Sequence, residues 1–239
     1  MPPSRNFAVE KLAVCVFLRN IADTFKIIIM RQLFVVLLLT TLSMTAFAQR
    51  KMADCIRAMP DSVVPYLNAT KRTEMVDFYG MGVKAETHNL LSESTVLDSL
   101  TASYAHIHLS ESSSMQLALL PRTMGDTILC VIRTWLGEAP ESVVDFYDSK
   151  WRKLQRQSFL DEISPEQLLS RPDTMEVEHY DRMVKMIDPL MIQADYSPSE
   201  QMIIFSLATP MITKEEKDTL KPIFLQRKVK WNGEKFNNR

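Results

Sequence analysis

Residues 102–151 read ASYAHIHLSESSSMQLALLPRTMGDTILCVIRTWLGEAPESVVDFYDSKW, and this stretch decides the fold. Apolar residues recur in it with a period of two, which is the spacing of a β-strand. The alternation predicts four strands, at residues 102–109, 114–120, 127–135 and 143–151. The polar connections at 110–113 and 121–126 are short enough for hairpins, so neighbouring strands should be antiparallel.

Helical patterns lie outside this stretch, and three further strands follow it. Helices are predicted at residues 52–59, 70–79, 174–187 and 214–220, with Thr70 as the cap of the second. A further short helix is predicted to begin at residues 164–166. The further strands are predicted at 190–196, 201–208 and 223–231. Strands grouped apart from helices indicate an α+β fold, here an antiparallel sheet of about seven strands with helices packed on one face. The opposite face is expected to meet solvent.

A weak internal repeat links the two halves of the strand-rich region. Residues 114–121 align with 189–196 at an offset of 75, and 127–132 align with 202–207 at the same offset. Trp151 aligns with Trp231 at an offset of 80. Two explanations remain open: a duplicated helix-plus-meander unit, or the ordinary likeness of one hairpin to another.

An export signal is predicted inside the chain, at residues 30–48. A short basic start, Met30-Arg31-Gln32, is followed by the apolar run 33–39 and by Ala46-Phe47-Ala48, a pattern that signal peptidases cleave after the last alanine. The run is shorter than the roughly 20 apolar residues of a membrane span, so no stable anchor is expected after cleavage. Residues 1–29 are interpreted as a mis-assigned upstream extension, and 49–239 as a single soluble α+β domain in the periplasm or outside the cell.

The composition of the predicted mature domain excludes several function classes. Residues 1–48 hold five of the 28 basic and two of the 29 acidic residues, which leaves 23 and 27 and a net charge of −4. Nucleic-acid binding requires a basic excess or stripe, so nucleic acid is not an expected partner. Glycine-rich phosphate loops are absent from the sequence, and no cofactor is expected.

Cys55 and Cys130 are the two cysteines of the predicted mature domain. An oxidising compartment would permit a disulfide between them, provided that folding brings their Cα atoms within about 7 Å. The alternative is a buried thiol at Cys130, which lies within a predicted strand.

His106 and His108 are candidate metal ligands, because residues two apart on a strand project from the same face. A metal site needs a third ligand, which His88, Glu111 or His179 would supply only if the fold brought one of them close. Without it, the pair is interpreted as two solvated strand histidines.

A mixed aromatic and charged surface is the candidate binding site. Arg133 and Trp135 share one face of their strand, and Asp145, Tyr147 and Trp151 share one face of the next strand. Such surfaces bind peptides or glycans through stacking and hydrogen bonds. Asp145 is charged, so the strand face that it shares with Tyr147 and Trp151 is expected to meet solvent. We therefore predict that Tyr147 and Trp151 are partly exposed near Arg133.

Two functions are consistent with these residues. The first is a non-enzymatic binding or interaction module of the envelope, whose partner is a protein, a peptide or a glycan. The second is a hydrolase of envelope or extracellular polymers that uses carboxylates in no recognisable motif. A pair of carboxyl groups roughly 5 to 9.5 Å apart, one with a raised pKa, would favour the hydrolase.

Several short motifs carry a resemblance over essentially the whole predicted mature domain. They are Met59-Pro60-Asp61-Ser62, Asp77-Phe78-Tyr79, Phe146-Tyr147 with Trp151, Asp188-Pro189-Leu190, and Trp231-Asn232-Gly233 with Phe236. With these motifs the chain resembles a family of exported proteins of unknown function found in the Bacteroidales. The resemblance implies a location in the cell envelope, and it implies no activity and no catalytic residues.

Overall fold

Two antiparallel sheets and four α-helices make up the part of the chain that the computed structural model describes, residues 51–187, 189–209 and 213–238. The helices are α1 (Met52–Arg57), α2 (Ala69–Gly80), α3 (Val177–Met186) and α4 (Lys214–Leu220). Within these described ranges, no helix is both long and apolar enough to cross a membrane. The predicted signal peptide, residues 30–48, and the upstream segment, residues 1–29, lie outside them.

The first sheet is an antiparallel meander of seven strands in chain order. Its strands are β1 (Glu86–His88), β2 (Ser94–Leu100), β3 (Tyr104–Ser110), β4 (Ser113–Pro121), β5 (Thr127–Leu136), β6 (Pro140–Tyr147) and β7 (Lys153–Leu154). In its centre Leu117 of β4 pairs with Val131 of β5, which in turn pairs with Asp145 of β6. The predicted α+β class, with a seven-stranded antiparallel sheet, is confirmed.

The second sheet is smaller and is also an antiparallel meander. It contains β8 (Met191–Ser197), β9 (Met202–Ala208), β10 (Arg227–Trp231) and β11 (Phe236–Asn238), adjacent in that order. The seven predicted strands are therefore divided, with four in the first sheet and three in the second. The strands β1, β2, β7 and β11 were not predicted, since three have only two or three residues and a bulge interrupts the fourth.

The first sheet is covered on both faces, so the expectation of a solvated face was wrong. Helices α1 and α2 pack on one face, where Met52, Ile56 and Met75 meet alternate residues of the strands such as Leu117 and Val131. The second sheet packs on the other face through a core rich in aromatic residues. That core includes Phe146, Phe159, Tyr196, Trp231 and Phe236. A third, smaller cluster joins α3 and α4 through Met183, Ile187, Leu220 and Ile223.

Helix α2 begins earlier than predicted, because Asn68 and not Thr70 is its cap. Asn68 has extended backbone angles, and its side-chain oxygen accepts a hydrogen bond from the Lys71 amide at 3.0 Å. This bond satisfies one of the amide groups that a helix start leaves unpaired. Just after the helix, Gly82 has a φ of +72°, which ends the helical path at little cost for a residue without Cβ.

Arg72 is a fully buried cation that ties α2 to the segment before it. Its guanidinium donates hydrogen bonds to the carbonyl oxygens of Leu67 and Met59, and Nη1 lies 2.9 Å from Asp61 Oδ1. The side chain of Asp61 remains largely exposed. The carbonyl groups therefore provide the buried part of the contact, and the carboxylate provides charge compensation at the surface.

Candidate functional site

The predicted binding surface is divided by the fold, and two of its five residues are in the core. Tyr147 and Trp151 are each only 7 % exposed and pack against α1 and α2, so the prediction that they are partly exposed was wrong. Their ring centroids lie 5.4 Å apart. Strand β6 ends at Tyr147, earlier than predicted, and Trp151, with a φ of +61°, lies in the turn that follows it. Both residues therefore support the sheet and are not available to a partner.

Asp145 explains why the parity argument failed. This carboxylate is buried, although a charged residue at that position indicated a solvated face. Arg133 Nη2 lies 3.0 Å from one carboxylate oxygen, and Lys153 Nζ lies 2.9 Å from the other. Because both oxygens have cationic partners, the strand can place Asp145 under the helices without leaving an uncompensated charge.

The remaining predicted residues, Arg133 and Trp135, lie on a surface that we call the hairpin patch: Arg133, Trp135, Glu141 and Val143. Trp135 pairs with Glu141 and Arg133 pairs with Val143 across β5 and β6, so all four side chains project from one face. Trp135 is 47 % exposed and Val143 39 % exposed. Arg133 Nη1 lies 3.5 Å from the Val63 carbonyl oxygen, which marks the edge of the helical layer. At these four residues the helices leave the face at least partly open.

A second candidate site lies on the opposite face of the sheet, at His106 and His108. Strand alternation directs both imidazoles to one side of β3, as predicted, and a third side chain able to ligate a metal lies on β2. Val96 pairs with His108 and Ser99 with His106, which leaves an extra residue in β2 between these pairs. The extra residue is Asp98. The bulge changes the direction of its side chain and brings it close to the two histidines.

Asp98 was not among the candidate ligands because β2 was not predicted. The expected third ligands, His88, Glu111 and His179, are not in the cluster that the described residues form. Nothing in the sequence Val96-Leu97-Asp98-Ser99 marks Asp98 as the extra residue of a bulge. Only the register of β2 against β3 brings Asp98 to the histidines.

The three side chains of this cluster are in direct contact. Asp98 Oδ2 lies 2.7 Å from His108 Nε2 and 3.4 Å from His106 Nδ1, and the two imidazole centroids are 4.7 Å apart. Burial lowers the pKa of His106, and the neighbouring His108 lowers it further, against the opposing effects of Asp98 and Asp195. His106 is therefore mainly neutral at pH 7, with a lone pair on its ring.

Asp195 of β8 brings a second carboxylate close to His106. Gln116, which pairs with His106 across β3 and β4, donates from Nε2 to Asp195 Oδ1 at 3.3 Å. Gln193 donates to the other oxygen at 3.1 Å. Neither Asp98 nor Asp195 forms an ion pair with a lysine or arginine of the described ranges. Among the described residues, glutamine amides and imidazoles contact these two carboxylates, and no lysine or arginine does.

The possible disulfide between Cys55 and Cys130 is not formed. Cys55 belongs to the core under the helices, and Cys130 belongs to the core between the sheets, so the first sheet separates them. Burial strongly raises the pKa of the Cys130 thiol, and the charge of Asp145 raises it further. The alternative of a buried thiol at Cys130 is the one that the structure shows.

Most of this chain matches a known protein family. The model of a family described as "Protein of unknown function (DUF3256)" matches residues 43–236. The chain belongs to this family. The match covers all described strands and helices except the last residues of β11, and it confirms the family resemblance of the sequence motifs. No curated protein matches the chain significantly.

A solved structure similar to this member of the family comes from Porphyromonas gingivalis W83. It is described as a domain of an uncharacterized protein, and it superposes with a TM-score of 0.64 at 18 % sequence identity. The alignment covers 79 % of this chain and 97 % of that domain. At this identity the similarity establishes the shared fold alone.

Proposed function

We propose that this protein is exported to the cell envelope and acts there as a non-enzymatic binding module. Its partner would be a protein, a peptide or a glycan of the envelope, held at the hairpin patch. Export is supported by the signal-like sequence of residues 30–48. The family supplies no activity, so the proposal depends on the surface chemistry of the described domain.

The exposure of Trp135 is the observation that carries this proposal. The chain has three tryptophans, and Trp151 and Trp231 are almost completely buried whereas Trp135 is nearly half exposed. Tryptophan and arginine are the residues most enriched where binding energy concentrates in interfaces. Arg133 stands beside Trp135 and is already held by Asp145, so its head group would lose little freedom on binding.

The carboxyl groups give the hydrolase alternative little support. That mechanism needs one carboxyl group with a raised pKa to act as general acid. In the described residues, the carboxyl groups with a shifted pKa are shifted downward: Glu74, Glu86, Asp148, Glu166 and Glu216. In the four glutamates the main cause is an accepted hydrogen bond, as from Lys71 to Glu74. These five groups are therefore anions at neutral pH and poor proton donors.

Site-specific photocrosslinking in intact cells of the natural host tests the proposal. A photoreactive phenylalanine at position 135 keeps an aromatic ring in the patch, and the same residue at Met124 is the control. Met124 is even more exposed and lies in the turn at the opposite end of β5. We expect a discrete adduct from position 135 and none from 124. Equal adducts from both positions, or none from 135, would contradict the proposal.

A further inference from the structure

The backbone places three metal-binding side chains together without help from any loop. His106 and His108 project from the same face of β3, and the bulge in β2 inserts Asp98 beside both imidazoles. Their ligand atoms all lie within 4.8 Å of one another. His106 and His108 are paired in the ladder, and Asp98 lies between the paired residues Leu97 and Ser99, so the backbone holds all three side chains close together.

The two separations that involve Asp98 are close to those that a metal ion requires. Ligand atoms at two corners of a tetrahedron with bonds of about 2.0 to 2.1 Å lie about 3.3 to 3.4 Å apart. The distance of 3.4 Å from Asp98 Oδ2 to His106 Nδ1 already matches this edge. The distance of 2.7 Å from Asp98 Oδ2 to His108 Nε2 is that of a hydrogen bond. A metal ion would replace the proton of this bond and increase the distance between the two atoms by a few tenths of an ångström.

The charge around the cluster favours a cation. Asp98 is within the cluster and Asp195 approaches His106 from β8 of the second sheet, where two glutamine amides hold its carboxylate. In the described part of the chain neither carboxylate has a lysine or arginine partner, in contrast to Asp145 on the opposite face with its two. A divalent ion would balance the two negative charges.

The donor atoms select the class of ion. Two imidazole nitrogens and one carboxylate oxygen suit borderline transition metal ions such as Zn²⁺, and the same donor set also holds Fe²⁺ in some enzymes. Ca²⁺ and Mg²⁺ prefer sites made entirely of oxygen. Three protein ligands leave a position for water or for an external ligand.

We propose that Asp98, His106 and His108 form a binding site for a divalent transition metal ion of the Zn²⁺ class. Asp195 is a positioning residue that adds negative charge without ligating. The site lies on the face of the sheet opposite to the hairpin patch, and it is independent of the function proposed there. Neither site requires the other to be correct.

Calorimetric titration of the metal-free purified protein with Zn²⁺ tests this site, with Co²⁺ as a spectroscopic probe of coordination. We expect one Zn²⁺ per chain and a rise in the thermal unfolding midpoint. The substitutions Asp98→Asn, His106→Ala and His108→Ala should each weaken binding by at least about 100-fold, since loss of an outer partner alone costs about 10- to 100-fold. Asp195→Asn should weaken it by about 10-fold and keep the stoichiometry.

The two other histidines of the chain are matched controls. His88 and His179 are exposed and lie outside the cluster, so His88→Ala and His179→Ala should leave Zn²⁺ affinity unchanged. If a ligand variant does not fold, imidazole NMR signals of the unaltered protein give the answer, since Zn²⁺ should shift those of His106 and His108 only. Absence of Zn²⁺ binding, equal binding by the ligand variants, or loss in the controls would overturn the proposal. The cluster would then be a pair of histidines held by a carboxylate.

Discussion

The indole nitrogen of Trp151 donates a hydrogen bond to the backbone carbonyl oxygen of Cys55 at 3.2 Å. The two residues are 96 positions apart in the chain, and the bond joins the turn after β6 to helix α1. A residue that the sequence marked as a candidate for binding thus fastens the helical layer to the sheet. Its indole ring is core, and its polar atom satisfies a carbonyl group of a helix only six residues long.

Replacing Trp151 by alanine should destabilise the protein strongly, whereas replacing Trp135 should not. Removal of a buried tryptophan typically lowers the free energy of unfolding by about 3 to 5 kcal/mol, and surface substitutions stay within about 0.5 kcal/mol. Urea denaturation of both variants measures the difference. Equal stability of Trp151→Ala and the unaltered protein would mean that Trp151 is not core.

Substitution of Arg72 should cost far more stability than substitution of its ion-pair partner. Arg72→Met leaves the buried carbonyl groups of Met59 and Leu67 without donors, and each unsatisfied group costs about 1 to 3 kcal/mol. Asp61→Ala removes a largely exposed carboxylate and leaves the Arg72 guanidinium its two carbonyl acceptors, so it should cost less than Arg72→Met. Thermal unfolding of the two variants checks this order, and a larger loss from Asp61→Ala would refute it.

Stability between pH 5 and pH 3 should depend in part on Asp148. Burial raises the pKa of this carboxyl group, but hydrogen bonds from Arg152 and from the Lys150 amide outweigh that effect, and the pKa is lowered. A folded-state pKa below the unfolded value of about 3.9 means that the unfolded chain binds the proton more tightly. The stabilisation is therefore complete well above this unfolded value and is lost as the pH falls through the lower pKa of the folded state.

The variant Asp148→Asn isolates this contribution. An asparagine can still accept from the Lys150 and Arg152 amides, but it has no charge to titrate and no ion pair with Arg152. The free energy of unfolding of the variant should change less with pH over that interval. Parallel curves for the two proteins would show that Asp148 has the same proton affinity in both states.

The Cys130 thiol should be unreactive in the folded protein. Its pKa is raised by burial, and only the thiolate reacts with iodoacetamide. We expect alkylation of Cys130 at a rate set by unfolding, and its full alkylation in denaturant without a reductant, since Cys130 is not bridged to Cys55. Peptide mass spectrometry after labelling measures the alkylation of Cys130 in native buffer and in denaturant. Rapid labelling of Cys130 in native buffer would show that the second sheet opens readily.

The central hairpins were predictable because their signal is local. Alternation with a period of two sets the strands and their antiparallel pairing, and β4 and β5 follow the predicted ranges within one or two residues. The same alternation predicts that the side chains of His106 and His108 project from one face of β3. The family resemblance was also carried by short motifs that the chain retains whatever its fold.

Which strands share a sheet, and what covers each face, was decided only by the tertiary structure. Both faces of the first sheet are buried, so the alternation of apolar residues no longer separates core from solvent. Asp145 indicated a wet face and is buried, because Arg133 and Lys153 arrive from other positions of the sheet to pair with it. Asp98 meets the histidines through one extra residue in β2. Alternation along one strand contains no information about charges or registers contributed by its neighbours, and for that reason the sequence determined the strands while packing determined the sites.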